Sequence, residues 1–231
     1  MEKLVYLLHK NPDEKVTAEF AQRAARDVVP LLKAAGASSI VLTVCDLLDE
    51  VQNNSPERLV APIAGAIHSL AGAIHFWLEN LDARFEIEPI LRRLAPQISG
   101  YLVTESVLQR APRTWKSGER RPGVTQLALM CKSPSVSEEE FYYNWQQLHT
   151  PFSFRLHPLR REYVRNAVAR ALTPGTPPYR IIVLQQWGEL RDILDPERYS
   201  DKAAWEEVRN EPKYGDVENL VLGPTSEYAF D

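Results

Sequence analysis

The chain has 231 residues, of which 44% are hydrophobic and 25% are charged, the balance of an ordinary soluble globular protein. This composition argues against intrinsic disorder, collagen-like structure and a disulfide-stapled miniprotein. The net charge of −4 offers no basic surface, so we expect no nucleic-acid partner. Two cysteines cannot form a disulfide framework, which favours a reducing compartment. The first residues also lack the pattern of a signal peptide, and we therefore expect a cytoplasmic protein.

One stretch, Leu59 to Leu78, is apolar and about as long as a membrane span. It is interrupted by residues that are costly in lipid or break helices, namely Pro62, Gly65, His68, Ser69, Gly72 and His75. We therefore predict a buried connection followed by a core strand, and no membrane partner.

The chain reads as two copies of one unit. A constant shift of 121 residues places Glu140 on Glu19, Pro151 on Pro30 and Thr225 on Thr104, and it also aligns two apolar strands near residues 4 and 125. Several landmarks in one register indicate an internal duplication.

The hydrophobic periodicity of each copy predicts the element order β-α-β-β-α-β. In chain order, the first copy predicts strand 3–9, helix 17–35, strands 39–46 and 72–79, helix 82–95 and strand 98–108. The second copy predicts strand 124–131, helix 137–149, strands 161–171 and 180–188, helix 196–210 and strand 220–229.

Local signals refine these elements. Ser137 and Glu140 have the spacing of a capping box at a helix start, and Pro151 is expected to end or kink that helix. The stretch from Arg110 to Pro122 is proline-rich, charged and aperiodic, as in a linker. Residues 49–70 have no counterpart in the second copy and are expected to cover one end of a sheet.

The predicted fold is α+β, with tandem ferredoxin-like repeats whose antiparallel sheets pack face to face or close into a barrel. We expect a first repeat over residues 1–110, a linker over 111–121 and a second repeat over 122–231.

The second copy contains Trp145, His149 and Pro151 on or after one helix, followed by Tyr163 and Asn166 on a strand. With Ser137–Phe141, Tyr179, Trp187 and the acidic segment from Asp192 to Asp216, this pattern resembles the EthD family. The resemblance implies a dimeric α/β-barrel fold, a homodimer, and a small hydrophobic or aromatic ligand. Relatives in that superfamily include polyketide cyclases, dehydratases, decarboxylases, cofactor-free monooxygenases and haem enzymes.

Two departures from the family pattern limit what it implies. The first copy has Ala24 and Val28 where the second has Trp145 and His149, so we expect one site per chain. Ala167 follows Asn166 where the family carries a further histidine, and a two-histidine mechanism therefore does not transfer.

His149 and Trp145 are four residues apart and share one helix face, which should point at the sheet. Histidine suits acid–base chemistry near neutral pH, so His149 is the candidate acid–base group; alternatively, it terminates its helix by bonding a backbone carbonyl. Asparagine is disfavoured within strands, so Asn166 is expected either to orient His149 or a substrate carbonyl, or to satisfy local backbone.

The expected ligand-binding residues are Trp145, Tyr163, Trp187, Tyr142 and Gln185. Tyr163 and Asn166 have opposite strand parity, so both reach one pocket only across a bulge. Alternatively, Trp187 packs in the hydrophobic core and does not contact a ligand. Several arginines lie close together in the second copy, and one of them could bind a ligand carboxylate. A run of charged residues, however, usually forms a solvent-exposed face.

Three functions fit these residues. The first is a cofactor-free acid–base enzyme of the cyclase, dehydratase or decarboxylase type on an aromatic or enolisable substrate. The second is a non-catalytic accessory protein that binds a hydrophobic intermediate of oxidative degradation. The third is a cofactor-free or haem-dependent oxidase. The five histidines show no metal-ligand spacing, so we expect no metal and no cofactor, although a single axial histidine could hold haem.

Overall fold

The computed structural model describes residues 1–54 and 63–231. In this part of the chain, eight antiparallel strands close into one barrel. The strands are β1 Glu2–His9, β2 Ser38–Val44, β3 Leu70–Leu78, β4 Gln97–Gln109, β5 Val124–Cys131, β6 Glu162–Ala171, β7 Tyr179–Trp187 and β8 Val221–Phe230.

Each half of the chain contributes four consecutive strands to the barrel, in the order β4-β1-β3-β2 and β8-β5-β7-β6. The halves meet along two seams, where β2 pairs with β8 and β4 pairs with β6. The barrel is therefore closed within a single chain.

The helices are short and lie between the strands in sequence. They are α1 Ala18–Asp27, α2 Val29–Ala34, α3 Leu48–Asn54, α4 Arg84–Leu91, α5 Glu138–Tyr143, α6 Thr150–Leu156, α7 Arg191–Leu194, α8 Pro196–Tyr199 and α9 Lys202–Val208. Three turns of 3-10 helix cover Gly65–Ser69, Leu81–Ala83 and Val217–Asn219, and one π-helical turn covers Asn144–His149.

Side chains alternate between the barrel interior and its outer face, as a strand requires. Val5, Leu127 and Ile182 belong to an interior cluster that draws on strands from both halves. The outer face of the first half packs under its helices in a second cluster, which includes Tyr6, Phe76 and, from the helices, Phe20, Ala24, Val28 and Leu32.

One end of the barrel interior is polar. The Lys3 ammonium pairs with Glu105, and the Arg121 guanidinium lies 2.8 Å from carboxylate oxygens of both Glu162 and Glu227. Lys3 and Glu105 belong to β1 and β4 of the first half, whereas Arg121 precedes β5 and pairs with residues of β6 and β8 in the second half. Their mutual pairing makes the burial of charge here tolerable.

The predicted strands agree with the observed ones within about two residues at each end, and β5 matches over its full length. The capping box is confirmed, with the Glu140 amide donating to the Ser137 side chain and the Glu140 side chain accepting from the Ser137 amide. The predicted helix 196–210 is instead two helices, α8 and α9.

Of the two expected effects of Pro151, the end of the helix at His149 is wrong and a local distortion of the helix is observed. Helical structure continues through Pro151 to Leu156, with a π-helical turn immediately before the proline. Proline has no amide hydrogen and clashes with the carbonyl four residues earlier in an α-helix, and the wider π turn relieves that conflict.

The apolar stretch from Leu59 to Leu78 lies partly outside the described residues. Its described part enters β3 at Leu70, as predicted for a core strand, and the Gly65–Ser69 turn precedes it. No helix in residues 1–54 and 63–231 is long and apolar enough to cross a membrane.

Strands β2 and β3 approach each other closely at Gly72, which leaves no room for a side chain there. A Cβ at Gly72 would lie 1.9 Å from the Thr43 carbonyl oxygen, a backbone atom that cannot move aside. We expect Gly72→Ala to lower the free energy of unfolding by about 3 kcal/mol or more, because strands β2 and β3 must separate. Urea denaturation would measure the change.

The matched control is Gly175→Ala. Gly175 has a φ of +70°, and no atom lies within 4 Å of the position that an added Cβ would occupy, so only the conformational cost of about 1 kcal/mol applies. Equal losses in the two variants would contradict the close packing of β2 against β3.

Candidate functional site

The candidate site lies on the outer face of the second half, beneath the helix that runs from α5 to α6. Phe141 and Trp145 are buried on the underside of this helix, with ring centroids 5.6 Å apart. The π-helical turn carries both Trp145 and His149, and the Trp145 carbonyl accepts hydrogen bonds from the Thr150 amide and hydroxyl. Single π turns within α-helices often occur at functional sites.

A cavity of about 190 Å³ separates this helix from the sheet. It brings together four residues singled out from the sequence, Trp145, His149, Tyr163 and Gln185. Most of the remaining wall is apolar or aromatic and includes Ala128, Met130, Ile181, Val183, Tyr199, Trp205, Tyr214, Leu220 and Leu222. Such a wall suits a flat hydrophobic ligand.

His149 is held by a carboxylate. Its Nδ1 lies 2.8 Å from the Glu211 carboxylate, and its ring packs against Tyr214 with centroids 4.8 Å apart. A carboxylate accepts this hydrogen bond, so Nδ1 carries the proton and Nε2 is left as the basic nitrogen. The arrangement fixes both the tautomer and the orientation of the ring, as a proton-transfer group requires.

His149 also borders a larger open groove of about 610 Å³. This groove runs between Ser133–Ser135 and the segment from Glu211 to Glu218. The His149 side chain is 18% exposed and lines both the cavity and the groove.

A guanidinium supports the cavity wall at Gln185 and Tyr163. Arg160 Nη1 donates to the Gln185 side-chain carbonyl at 2.9 Å, and the guanidinium carbon lies 4.1 Å from the centre of the Tyr163 ring. Burial lowers the pKa of Arg160 to about 10 and raises the pKa of Tyr163.

Trp187 stands behind the cavity wall. Its ring stacks on Tyr199 at 5.1 Å and meets the edge of His157 at 5.4 Å, and both of those residues line the cavity. His157 donates from Nδ1 to the Tyr199 carbonyl at 2.8 Å, because a carbonyl can only accept. Burial lowers the pKa of His157 to about 3, so the ring is neutral at physiological pH.

Two other expected site residues lie elsewhere. Strand β6 is regular against β7 from Glu162 to Ala167, so Asn166 is on the opposite face from Tyr163, in the barrel interior. There its amide donates to the Ile182 carbonyl at 3.2 Å. This placement does not fit the expected role of orienting His149, since no bulge turns Asn166 to the outer face. The Tyr142 hydroxyl accepts from Arg180 at 2.9 Å, beside rather than within the cavity.

Glu211, Tyr214 and His157 were missed as site residues by reasoning from sequence, whereas Arg160 is one of the second-copy arginines for which a ligand carboxylate was considered. Glu211 and Tyr214 lie in the acidic segment that the sequence pattern singled out, but nothing in that segment distinguishes one acid from its neighbours. Glu211 follows His149 by 62 residues, so only the tertiary fold pairs them.

Among the described residues, no group of three or more His, Cys, Asp or Glu side chains has an arrangement that could hold a metal ion. Cys45 is buried and Cys131 is partly buried, and both are free thiols.

No known protein family matches the sequence, and the resemblance to EthD is not confirmed. No curated protein matches either. Among solved structures, the fold is similar to that of an anthrone oxidase-like protein, with 16% identity, 100% of this chain and 91% of that chain covered, and a TM-score of 0.50. It is also similar to a candidate monooxygenase from Fusobacterium nucleatum subsp. nucleatum, with 7% identity, coverage of 100% and 92%, and a TM-score of 0.51. The chain therefore has the α/β-barrel fold of these proteins.

The lowered pKa of the partly buried His157 ring predicts a pH dependence of stability. Its pKa is about 3 in the folded protein and near 6.5 when unfolded, so only the unfolded chain takes up a proton as the pH falls below 6.5. Unfolding is thereby favoured by about 1.4 kcal/mol per pH unit within that window. We expect His157→Asn, which can still donate to the Tyr199 carbonyl, to lose less stability than wild type between pH 7 and pH 5.

Urea denaturation at the two pH values would measure this difference. His68→Asn serves as the control, because the His68 side chain is exposed, and it should keep the wild-type pH dependence. If His157→Asn also kept it, His157 would be protonated in the folded protein, contrary to its burial.

Proposed function

We propose that this protein is a cofactor-free acid–base enzyme that acts on a flat, hydrophobic, enolisable or phenolic compound. The observation that carries the proposal is the hydrogen bond from His149 to Glu211 at the wall of an apolar cavity. In this proposal His149 Nε2 takes a proton from the ligand and passes it on, either back to the ligand or to water, while Glu211 is the positioning residue that stabilises the imidazolium.

The aromatic wall supports a planar ligand. Trp145 and Tyr163 contribute large flat surfaces, and Gln185 is the polar side chain best placed to bond a ligand oxygen or hydroxyl. Trp187 supports this wall through Tyr199 and His157 and thus affects ligand binding indirectly.

The chain also supports a wider family proposal. We infer two ferredoxin-like repeats, since each half has its strands in the order 4-1-3-2 counted along that half. Pro30 and Pro151, which the 121-residue shift aligns, both occupy the first turn of a second helix, in α2 and α6. An EthD-like identity of the second half, the domain limits 1–110 and 122–231, and a homodimer are parts of this proposal. The mass of the purified protein in solution tests the dimer.

A second candidate is a cofactor-free oxidase, favoured by the fold shared with the anthrone oxidase-like protein. Both candidates begin with removal of a ligand proton and differ in whether molecular oxygen is then consumed. The accessory-protein alternative differs from both, because it requires binding with no proton transfer.

Anthrone is a suitable probe, because it is planar and has an acidic methylene group next to its ring system. We expect wild-type protein to accelerate exchange of the methylene protons for deuterium in anaerobic D₂O, followed by NMR. His149→Ala should lower this rate by about 10²–10⁴-fold, the usual contribution of a general base. Binding of anthrone without any acceleration would favour the accessory protein.

Glu211→Gln tests the positioning role. We expect the exchange rate to fall about tenfold or more while the dissociation constant for anthrone stays the same, because the carboxylate orients the imidazole and does not touch the ligand. Glu207→Gln on α9 is the matched control, since Glu207 forms an exposed ion pair with Arg155 and should leave both quantities unchanged.

Admitting air to the same samples separates the two enzyme candidates. Oxygen uptake that depends on His149 would favour the oxidase, and exchange without oxygen uptake would favour the acid–base enzyme. A Soret band in the freshly purified protein would instead support the haem-dependent oxidase.

A further inference from the structure

Two buried guanidiniums that pack against the cavity wall have no acidic partner in the described part of the chain. Arg160 and Arg165 are 3% and 8% exposed, and neither forms an ion pair with any carboxylate of residues 1–54 and 63–231. Other buried cations of the described chain do have acidic partners, as Lys3 has Glu105 and Arg121 has Glu162 and Glu227. A buried charge without a counter-ion is costly, so this pair is an exception that needs a physical reason.

The contacts of the two guanidiniums with uncharged groups offset only part of the free-energy cost of burying their charge. Arg160 donates to Gln185 and to the Ser153 hydroxyl at 3.2 Å, and lies over Tyr163. Arg165 donates to the Thr150 hydroxyl at 2.7 Å and lies 5.1 Å from the centre of the Trp145 ring. These hydrogen bonds and ring contacts orient the two groups without cancelling their charge.

Three hydrogen-bond donors near the same wall also lack an acceptor. Arg160 Nε, Gln126 Nε2 and Trp187 Nε1 are buried and have no hydrogen-bond partner in the described part of the chain. Buried donors of this kind are uncommon in folded proteins.

These donors belong to residues that directly support the cavity wall. Gln126 pairs with Gln185 across strands β5 and β7, and its side-chain oxygen accepts from the Tyr199 hydroxyl at 3.2 Å. Trp187 stacks on Tyr199, and Arg160 bonds Gln185. Since Gln185 and Tyr199 line the cavity, the three unpartnered donors and the Arg160 guanidinium lie directly behind one part of its wall.

We propose that the ligand of this cavity is an aromatic carboxylate whose anionic group is bound at the Arg160, Gln126 and Trp187 side of the wall. This inference concerns the cavity of the proposed function and deepens it by naming the charge of the ligand. A permanent anion is indicated because the excess positive charge is present in the resting protein. An enolate formed only during reaction would leave the bound ground state uncompensated.

Gln185 connects the cavity with the Arg160 guanidinium behind its wall. It accepts from Arg160 on one side and lines the cavity on the other, so a small rotation of either side chain exposes guanidinium donors to a bound carboxylate. Arginine presents planar donors that match a carboxylate, which an amide of the same shape cannot replace.

The test compares 2-naphthoate with 2-naphthamide, which have nearly the same shape and differ in charge. Tryptophan fluorescence and calorimetry would give the dissociation constants for wild type, Arg160→Met and Arg161→Met. We expect wild type to bind the carboxylate at least tenfold more tightly than the amide, Arg160→Met to lose this preference, and Arg161→Met to keep it. Arg161 is the matched control because it is adjacent in sequence and exposed.

A charge-conserving variant and a test of folding separate a loss of binding from a loss of structure. Arg160→Lys retains the charge and should keep part of the preference, and circular dichroism at 20 °C would show whether each variant is folded. If Arg160→Met does not fold, the wild-type preference for carboxylate over amide is itself decisive. Equal affinity for both probes, tighter binding of the amide, or binding of neither would overturn the inference.

Failure of this inference is distinguishable from failure of the proposed function. Anthrone exchange that depends on His149, with no preference for the carboxylate probe, would leave the acid–base function standing and remove the anionic ligand. Carboxylate binding that depends on Arg160, without proton exchange, would keep the ligand class and remove the chemistry.

Discussion

Closure of the barrel within one chain is the constraint on which the rest of the structure depends. Once β2 pairs with β8 and β4 pairs with β6, every strand has one face committed to the interior. Apolar side chains such as Val5, Leu127 and Ile182 fill much of that interior. A ligand cavity of the proposed kind therefore forms on the outer face, where helices rather than strands provide the second wall. The site residues are accordingly those whose side chains point away from the barrel axis.

The outer faces of the two barrel halves differ in how their helices pack. In the first half, Ala24 and Val28 are fully buried under their helix and belong to the same cluster as Tyr6 and Phe76. At the corresponding positions of the second half, Trp145 and His149 line a cavity. Ala24 and Val28 are thus part of a packed hydrophobic cluster, whereas Trp145 and His149 border a cavity. The candidate site accordingly lies in the second half alone.

Local physical signals predicted most of the fold but only part of the site. Strand alternation and the Ser137 capping box depend on neighbouring residues, so the sequence contains them directly. The parity of strand β6 likewise separates Tyr163 from Asn166 on sequence grounds alone, because successive strand residues face opposite sides. Glu211 is different, since its partner His149 is far away in sequence and several other acids share its segment. The continuation of the helix past Pro151 also escaped prediction, because a π-helical turn accommodates the proline without breaking the helix.

The position of His149 between the cavity and the groove has a consequence for the order of events in the proposed reaction. A proton taken from a bound molecule on the cavity side can be passed to water on the groove side, because the same side chain reaches both. The base can thus be restored while the organic product still occupies the cavity. Proton release and product release become separate steps, and the second can be slow without holding back the first.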